Sequence, residues 1–165
     1  LHQLWGAKKM GHKIMVAFDE SENARRAVEY IAQVFPRDAE ITLFSVLQDS
    51  AAICEMNSPE LTPYFKSQQS AFCALEDKKR GVVSDAGQNA ITLLIENGFQ
   101  KELISLKIEN KKNSVAKDIV EEARSAYDLV VLGRRGLSGI KDYFLGSISQ
   151  KVLHMAPEVS LLFVS

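Results

Sequence analysis

The sequence predicts an α/β domain: a parallel sheet with helices on both faces, Rossmann-like in its winding. Three observations carry that prediction. Five short apolar runs alternate with stretches of helical period, the pattern of repeated strand–helix–strand units. Most of these runs are continuously apolar, as strands buried on both faces are. A loop containing several glycines joins one run, 129–132, to a helix, and that is the edge where such sheets bind ligands.

The elements follow in order. Residues 1–12 show no period and no secretory layout, so they are expected to be a tag remnant or a loose arm ahead of a single domain, 13–165. Lys13 to Phe18 is the first strand, apolar enough to be central. Ser21 or Asn23 can cap the next helix, in which Ala24, Ala27, Val28, Ile31 and Val34 or Phe35 recur at helical spacing until Pro36. Glu40 to Leu47 holds the second strand. The stretch 48–62 reads as irregular, with Pro59 and Pro63 as breakers. A long helix then spans roughly Pro63 to Asn97, its stripe running through Phe72, Leu75, Val82, Val83, Ala86, Ala90, Leu93 and Leu94. Gly81 and Gly87 each cost about 1 kcal/mol there relative to alanine and mark places for a bend or break, whereas Gly98 is a natural stop.

Leu103 to Ile108 is the third strand. Asn113 or Ser114 caps a helix that turns Val115, Ile119, Val120, Ala123 and Ala126 inward. The fourth strand, the glycine loop, a helix from Ser147 to about Met155, and a fifth strand, 160–165, close the chain. His154 complements the dipole at that last helix's carboxyl end.

Composition excludes several classes. With 165 residues the chain is long enough for one sizeable core. A formal net charge of −1 gives no basic field for nucleic acid, and no apolar run reaches the ~20 residues of a membrane span. Cys54 and Cys73 form neither a CxxC pair nor a dense framework, so they are expected to be unmatched thiols of a reducing, cytoplasmic setting. The three histidines are scattered and form no ligand set.

The chemistry concentrates between Asp128 and Gln150. Gly133 and Gly136 follow the strand, and Gly146-Ser147 opens the helix, with Ser147 expected as its N-cap and Ile148, Val152 and Met155 on one apolar face. Glycine lets a backbone approach a ligand closely, and the free N–H groups and dipole of a helix start attract anions. The stretch therefore reads as a phosphate cradle. It is not a Walker A loop, lacking Gly-Lys-Ser/Thr, nor a dinucleotide fingerprint, whose glycines are spaced differently and lie early in the chain.

The pattern Gly133-x2-Gly136-x9-Gly146-Ser147 resembles the ATP-binding signature of the universal stress protein family. The opening Val16-Ala-Phe-Asp19-Glu-Ser21-Glu22, the strand Leu43-Phe-Ser-Val46 and Asp128-Leu-Val-Val-Leu-Gly133 extend the likeness across most of 13–165. The resemblance implies an open five-stranded sheet of order 3-2-1-4-5 with ATP, carried with Mg, across the switch point between strands one and four. On that reading Ala17, Phe18 and Asp19 flank adenine and ribose, and the backbone at Val46 meets the adenine edge. Leu132, Gly133, Arg135 and Gly136 line the start of the phosphate loop, and Gly146, Ser147, Ile148 and Ser149 meet the phosphates. The resemblance also implies a homodimer through the last strand, although this chain has Ser160 where the family often has proline.

Plain readings stand beside these. Asp19 also suits a helix-start carboxylate, and Arg134, Arg135 and Lys141 also suit solvated side chains. No acid or base pairs with the cradle as phosphoryl transfer requires, so the expectation is a stress-response regulator that binds ATP and an unknown protein partner. The alternative is a slow ATPase or nucleotidyl-transfer enzyme on the same scaffold.

Overall fold

A computed structural model describes residues 11–134 and 145–165. Five strands form one sheet: β1 (Lys13–Ala17), β2 (Glu40–Leu47), β3 (Ile104–Asn110), β4 (Leu129–Gly133) and β5 (Leu161–Val164). Every pairing is parallel and the order is β3-β2-β1-β4-β5. The winding reverses between β1 and β4, which leaves a crevice beyond their carboxyl ends.

Two buried clusters, one on each face, enclose the sheet. Helices α1 (Glu22–Val34) and α3 (Pro63–Glu96) bring Ala27, Val28, Ile31 and Leu94 against Ile14, Val16 and Leu43. Helices α4 (Val115–Ala126) and α5 (Ser147–Met155) bring Ile119, Val120 and Val152 against Met15, Phe44 and Val130. The alternation of Val16 and Met15 to opposite clusters is the two-residue period of a strand covered on both sides.

Local chemistry fixes the helix ends. Ser21 caps α1 by accepting from the Ala24 N–H at 3.2 Å, and Ser114 caps α4 by accepting from Lys117 at 3.3 Å. Thr62 caps α3 by accepting from Phe65 at 3.2 Å, with Pro63 at the first helical position. At the other end of α3, Gly98 adopts φ 93°, which allows Phe99 N–H to reach Leu94 C=O and Gly98 N–H to reach Ile95 C=O.

Four expectations change. Helix α3 is unbroken through Gly81 and Gly87, because one residue's lost propensity is small beside the ladder of a 34-residue helix. Only its second half is anchored: its buried residues are Val83, Gly87, Ala90 and Leu94, while Leu75 and Val82 are exposed. The segment 48–62, expected to be irregular, includes a short helix, α2 (Ala51–Cys54). The cysteines are not unmatched thiols: Cys54 and Cys73 form a disulfide that joins α2 to α3. Sequence spacing gave no sign of this, because the reversal of the chain at Pro59–Pro63 brings the two residues together.

The two α3 glycines yield a paired test. A Cβ on Gly81 would meet nothing within 4 Å, whereas one on Gly87 would lie 2.6 Å from Leu106 Cδ2. Gly81→Ala is expected to raise stability by about 0.4–1 kcal/mol. In Gly87→Ala the same gain is offset by displacing Leu106, so its denaturant midpoint should fall below that of Gly81→Ala. Equal midpoints would show that Leu106 moves without cost.

Beside α4, Lys107 bridges Glu122 (2.7 Å) and Glu109 (3.1 Å), and Lys112 also reaches Glu109 (2.9 Å). Hydrogen bonds from Lys112 and then Lys107 hold the Glu109 carboxyl below its ordinary range. A lowered carboxyl contributes stability above its unfolded value, about 4.3, that is lost as pH falls through the folded one. Solvent screening limits the contribution to under about 1 kcal/mol. The expected result is that Glu109→Gln lowers stability at pH 7 slightly and flattens its fall below pH 4, measured by urea unfolding at both.

Candidate functional site

A cavity of about 250 Å³ lies at the carboxyl ends of β1, β2 and β4 and the start of α5. Of the residues picked from sequence, eight line it: Ala17, Phe18, Asp19, Val46, Leu132, Gly133, Ile148 and Ser149. Gly146 and Ser147 stand at the start of α5, outside the cavity wall. Arg135, Gly136 and Lys141 lie outside the described residues.

Strand lengths create the crevice. The last pair of β1 with β2 is Ala17 with Phe44, and Phe18 N–H then donates to Phe44 C=O at 2.8 Å. Strand β2 runs on to Leu47, paired only with β3 over its final residues. Backbone groups of successive strand residues face opposite neighbours. Phe44 faces β1, and Leu47 faces β3, where its C=O accepts from Lys111 at 2.6 Å. Val46 therefore presents its N–H and C=O on the β1 side, past the end of β1 and over the cavity. A flat heterocycle with adjacent donor and acceptor groups could pair with that edge.

The same rule orients β4. Val130 and Arg134 donate toward β5, so Gly133 faces β1 and the crevice. Its carbonyl accepts from the Ser149 hydroxyl at 3.0 Å, which ties the start of α5 to the end of β4. A Cβ at Gly133 would lie 2.9 Å from Asn23 Cβ and 3.1 Å from the Asn23 backbone, so glycine lets the first turn of α1 close on this strand end.

Helix α5 differs from expectation in two ways. Its N-cap is Gly146, not Ser147, with Gln150 N–H returning to Gly146 C=O at 2.9 Å and no side-chain cap. Gly146 N–H donates to Arg134 C=O at 2.8 Å, which fixes the chain's entrance one residue earlier than the serine suggested. The inner face runs through Ser149, Val152 and Ala156, while Ile148 and Met155 are exposed. The Ser149–Gly133 bond sets this rotation by drawing a serine inward. Among the described residues no side chain caps them, which leaves the first-turn N–H groups of α5 beside Ile148 and Ser149 open to an anion.

The Asp19 carboxylate accepts from Ser21 N–H at 3.0 Å, the helix-start role, and also borders the cavity. That single bond uses one of the roughly four acceptor positions of a carboxylate. Several wall residues were not picked from sequence. Ser45 and Leu47 could have been found by extending Val46 along its strand; Phe44 forms the floor as well as core. Lys79, the basic side chain among the described lining residues, comes from α3 and carried no local signal. Among the described residues no group of three or more His, Cys, Asp or Glu side chains is placed to hold a metal, and no helix is long and apolar enough to cross a membrane.

The sequence model of the universal stress protein family matches residues 10–164. A universal stress protein of Mycolicibacterium smegmatis is 27% identical over 144 residues, 87% of this chain but 45% of that protein, so the chain spans about half the length of that relative. The universal stress protein YxiE of Bacillus subtilis is 28% identical over 89% of this chain and 95% of its own length. Among solved structures, the universal stress protein UspA of Lactobacillus plantarum superposes with a TM-score of 0.68 at 22% identity, covering 93% of this chain and 97% of that one. A universal stress protein in complex with cAMP gives a TM-score of 0.56 at 18% identity, over 94% and 97% of the two chains.

Proposed function

Because the chain belongs to the universal stress protein family, we propose that it is a stress-response regulator that binds ATP at the β1–β4 switch point. The observation that carries this reading is the Val46 backbone edge facing the same crevice as Asp19 and the uncapped start of α5. These groups would meet three parts of one ligand. The Val46 N–H and C=O suit the adenine edge, the Asp19 carboxylate accepts from ribose hydroxyls, and the α5 N–H groups face the phosphates. Arg135 and Gly136 would complete the phosphate loop. Magnesium would arrive bound to phosphate oxygens, since the described residues offer no clustered ligand set of their own.

The cavity supports binding rather than turnover. Asp19 and Glu20 are its acidic side chains among the described residues, and Asp19 is already engaged at the start of α1. Among the described residues neither is paired with a second group as a general base. Nucleotide occupancy at this site would bias docking of a partner protein. Strand β5 is an edge of the sheet with Leu161 and Phe163 half-buried, which supports a homodimer formed by pairing of two such strands.

The test is the nucleotide content of freshly purified protein, read by mass spectrometry after denaturation, followed by thermal unfolding with Mg-ATP and with cAMP. Cyclic AMP is included because a structural relative holds it. Released ATP, or a rise of about 5–10 °C at a hundredfold excess of Mg-ATP over Kd, is the expected result. Stabilisation by cAMP alone would replace ATP with the cyclic nucleotide. No released nucleotide and no shift with either would remove the nucleotide reading.

A further inference from the structure

We propose that Cys54 and Cys73 are a reversible oxidation site, a thiol–disulfide clasp that holds the 48–62 connection against α3 at the rim of the cavity. The bond joins two parts of the chain that each continue into the cavity wall. One is the connection that leaves β2 just after Val46 and Leu47; the other is α3, whose Lys79 lies six residues beyond Cys73.

Among the described residues few other contacts hold the connection there. Helix α2 has four residues, none buried, and no side-chain cap. Ile53 and Met56 remain 43% and 46% exposed, so few apolar contacts fix them. Besides the disulfide, Gln69 Nε2 donates to the carbonyls of Ile53 and Met56, and at the start of the connection Lys111 Nζ donates to Gln48 Oε1 at 2.7 Å. The half of α3 to which α2 is joined is itself unanchored, with no buried residue before Val83. The cross-link spans a sequence separation of 19 and thereby removes most of the freedom of this connection. Both cysteines are half-buried, and both neighbouring helices are exposed on their outer faces, so small oxidants and dithiols can reach the sulfurs.

The chemistry balances with a hydroperoxide as oxidant. One thiolate attacks the peroxide, the O–O bond breaks, and a sulfenic acid forms as the first water leaves. The second cysteine sulfur attacks the sulfenic sulfur, the S–S bond forms, and a second water leaves. Two thiols are oxidised and one hydrogen peroxide becomes two waters. An external dithiol reverses the step by exchange through a mixed disulfide, becoming oxidised itself and returning Cys54 and Cys73 to thiols.

The clasp itself is independent of the ligand; its effect on affinity rests on the nucleotide reading. The experiment takes the full chain through hydrogen peroxide and then dithiothreitol, following intact mass for loss and regain of two hydrogens. Each state is digested with a glutamate-specific protease, and the products are reduced before cutting at Glu55 and Glu60 is quantified. The oxidised protein should be cut about tenfold more slowly than the reduced protein, and Cys54→Ser and Cys73→Ser should behave as reduced in either condition. Mg-ATP should bind the oxidised form about fivefold more tightly by calorimetry. Failure to form the bond, or equal cutting in both states, overturns the clasp. Different cutting with equal Mg-ATP affinity overturns its link to the cavity. Different cutting with no Mg-ATP binding in either state leaves the clasp standing, and overturns the nucleotide reading and the link with it.

Discussion

Replacing Phe44 with alanine is expected to lower stability by about 3–5 kcal/mol, the range for removing a fully buried phenyl ring. Phe44 is 1% exposed and sits in the cluster shared by β1, β2, β4, α4 and α5, beneath the cavity. The strands around it are fixed by pairing and the helices by their own packing, so the surrounding residues cannot close over the hole together. Lys107 Nζ also lies 5.7 Å from the ring centre and would lose that contact. Phe44→Leu keeps much of the volume and should cost under about 1.5 kcal/mol. Urea unfolding of both variants checks this. A loss below about 1 kcal/mol in Phe44→Ala would mean that α4 collapses onto the sheet and that the floor of the cavity is not rigid.

The second large effect concerns the ligand. Asp19→Ala is expected to weaken Mg-ATP binding about ten- to a hundredfold, the usual worth of hydrogen bonds to a charged acceptor. The variant also loses the bond to Ser21 N–H, a capping contact worth about 1 kcal/mol of stability. Asp19→Asn separates the two roles. Its amide oxygen still accepts from Ser21, so stability should recover, but one oxygen cannot serve both that bond and two ribose hydroxyls, so affinity should stay low. If Asp19→Ala costs stability and leaves affinity unchanged, Asp19 only starts the helix and the ribose role is lost.

These two residues differ in how legible they were. Asp19 was readable because it follows the first apolar run, and the carboxyl end of a parallel strand is where a crevice opens. Phe44 read as one more strand residue, since a strand shows that a side chain alternates but not which face lies beneath a cavity. Val46 was placed on the same edge as the end of the second strand and given its adenine role by the family resemblance, but the reason its backbone is free emerged only from the sheet: β1 stops opposite Phe44, two residues short of Val46. Lys79 carried no signal because it reaches the cavity from a helix more than thirty residues along the chain from Val46.

What the sequence determined by itself was local or periodic. Strand–helix alternation selected the parallel sheet, and Ser21, Ser114, Pro63 and Gly98 marked helix ends whose hydrogen bonds close within a few residues. The Gly133 and Gly146 spacing marked a strand–loop–helix turn suited to an anion. Tertiary structure decided the rest. It rotated α5 so that Ser149 rather than Ile148 faces inward, moved the cap to Gly146, left the first half of α3 without a buried face, and joined Cys54 to Cys73. Each of these depends on which distant segment lies alongside, and burial against a neighbour outweighs the few tenths of a kcal/mol by which one local conformation is preferred over another.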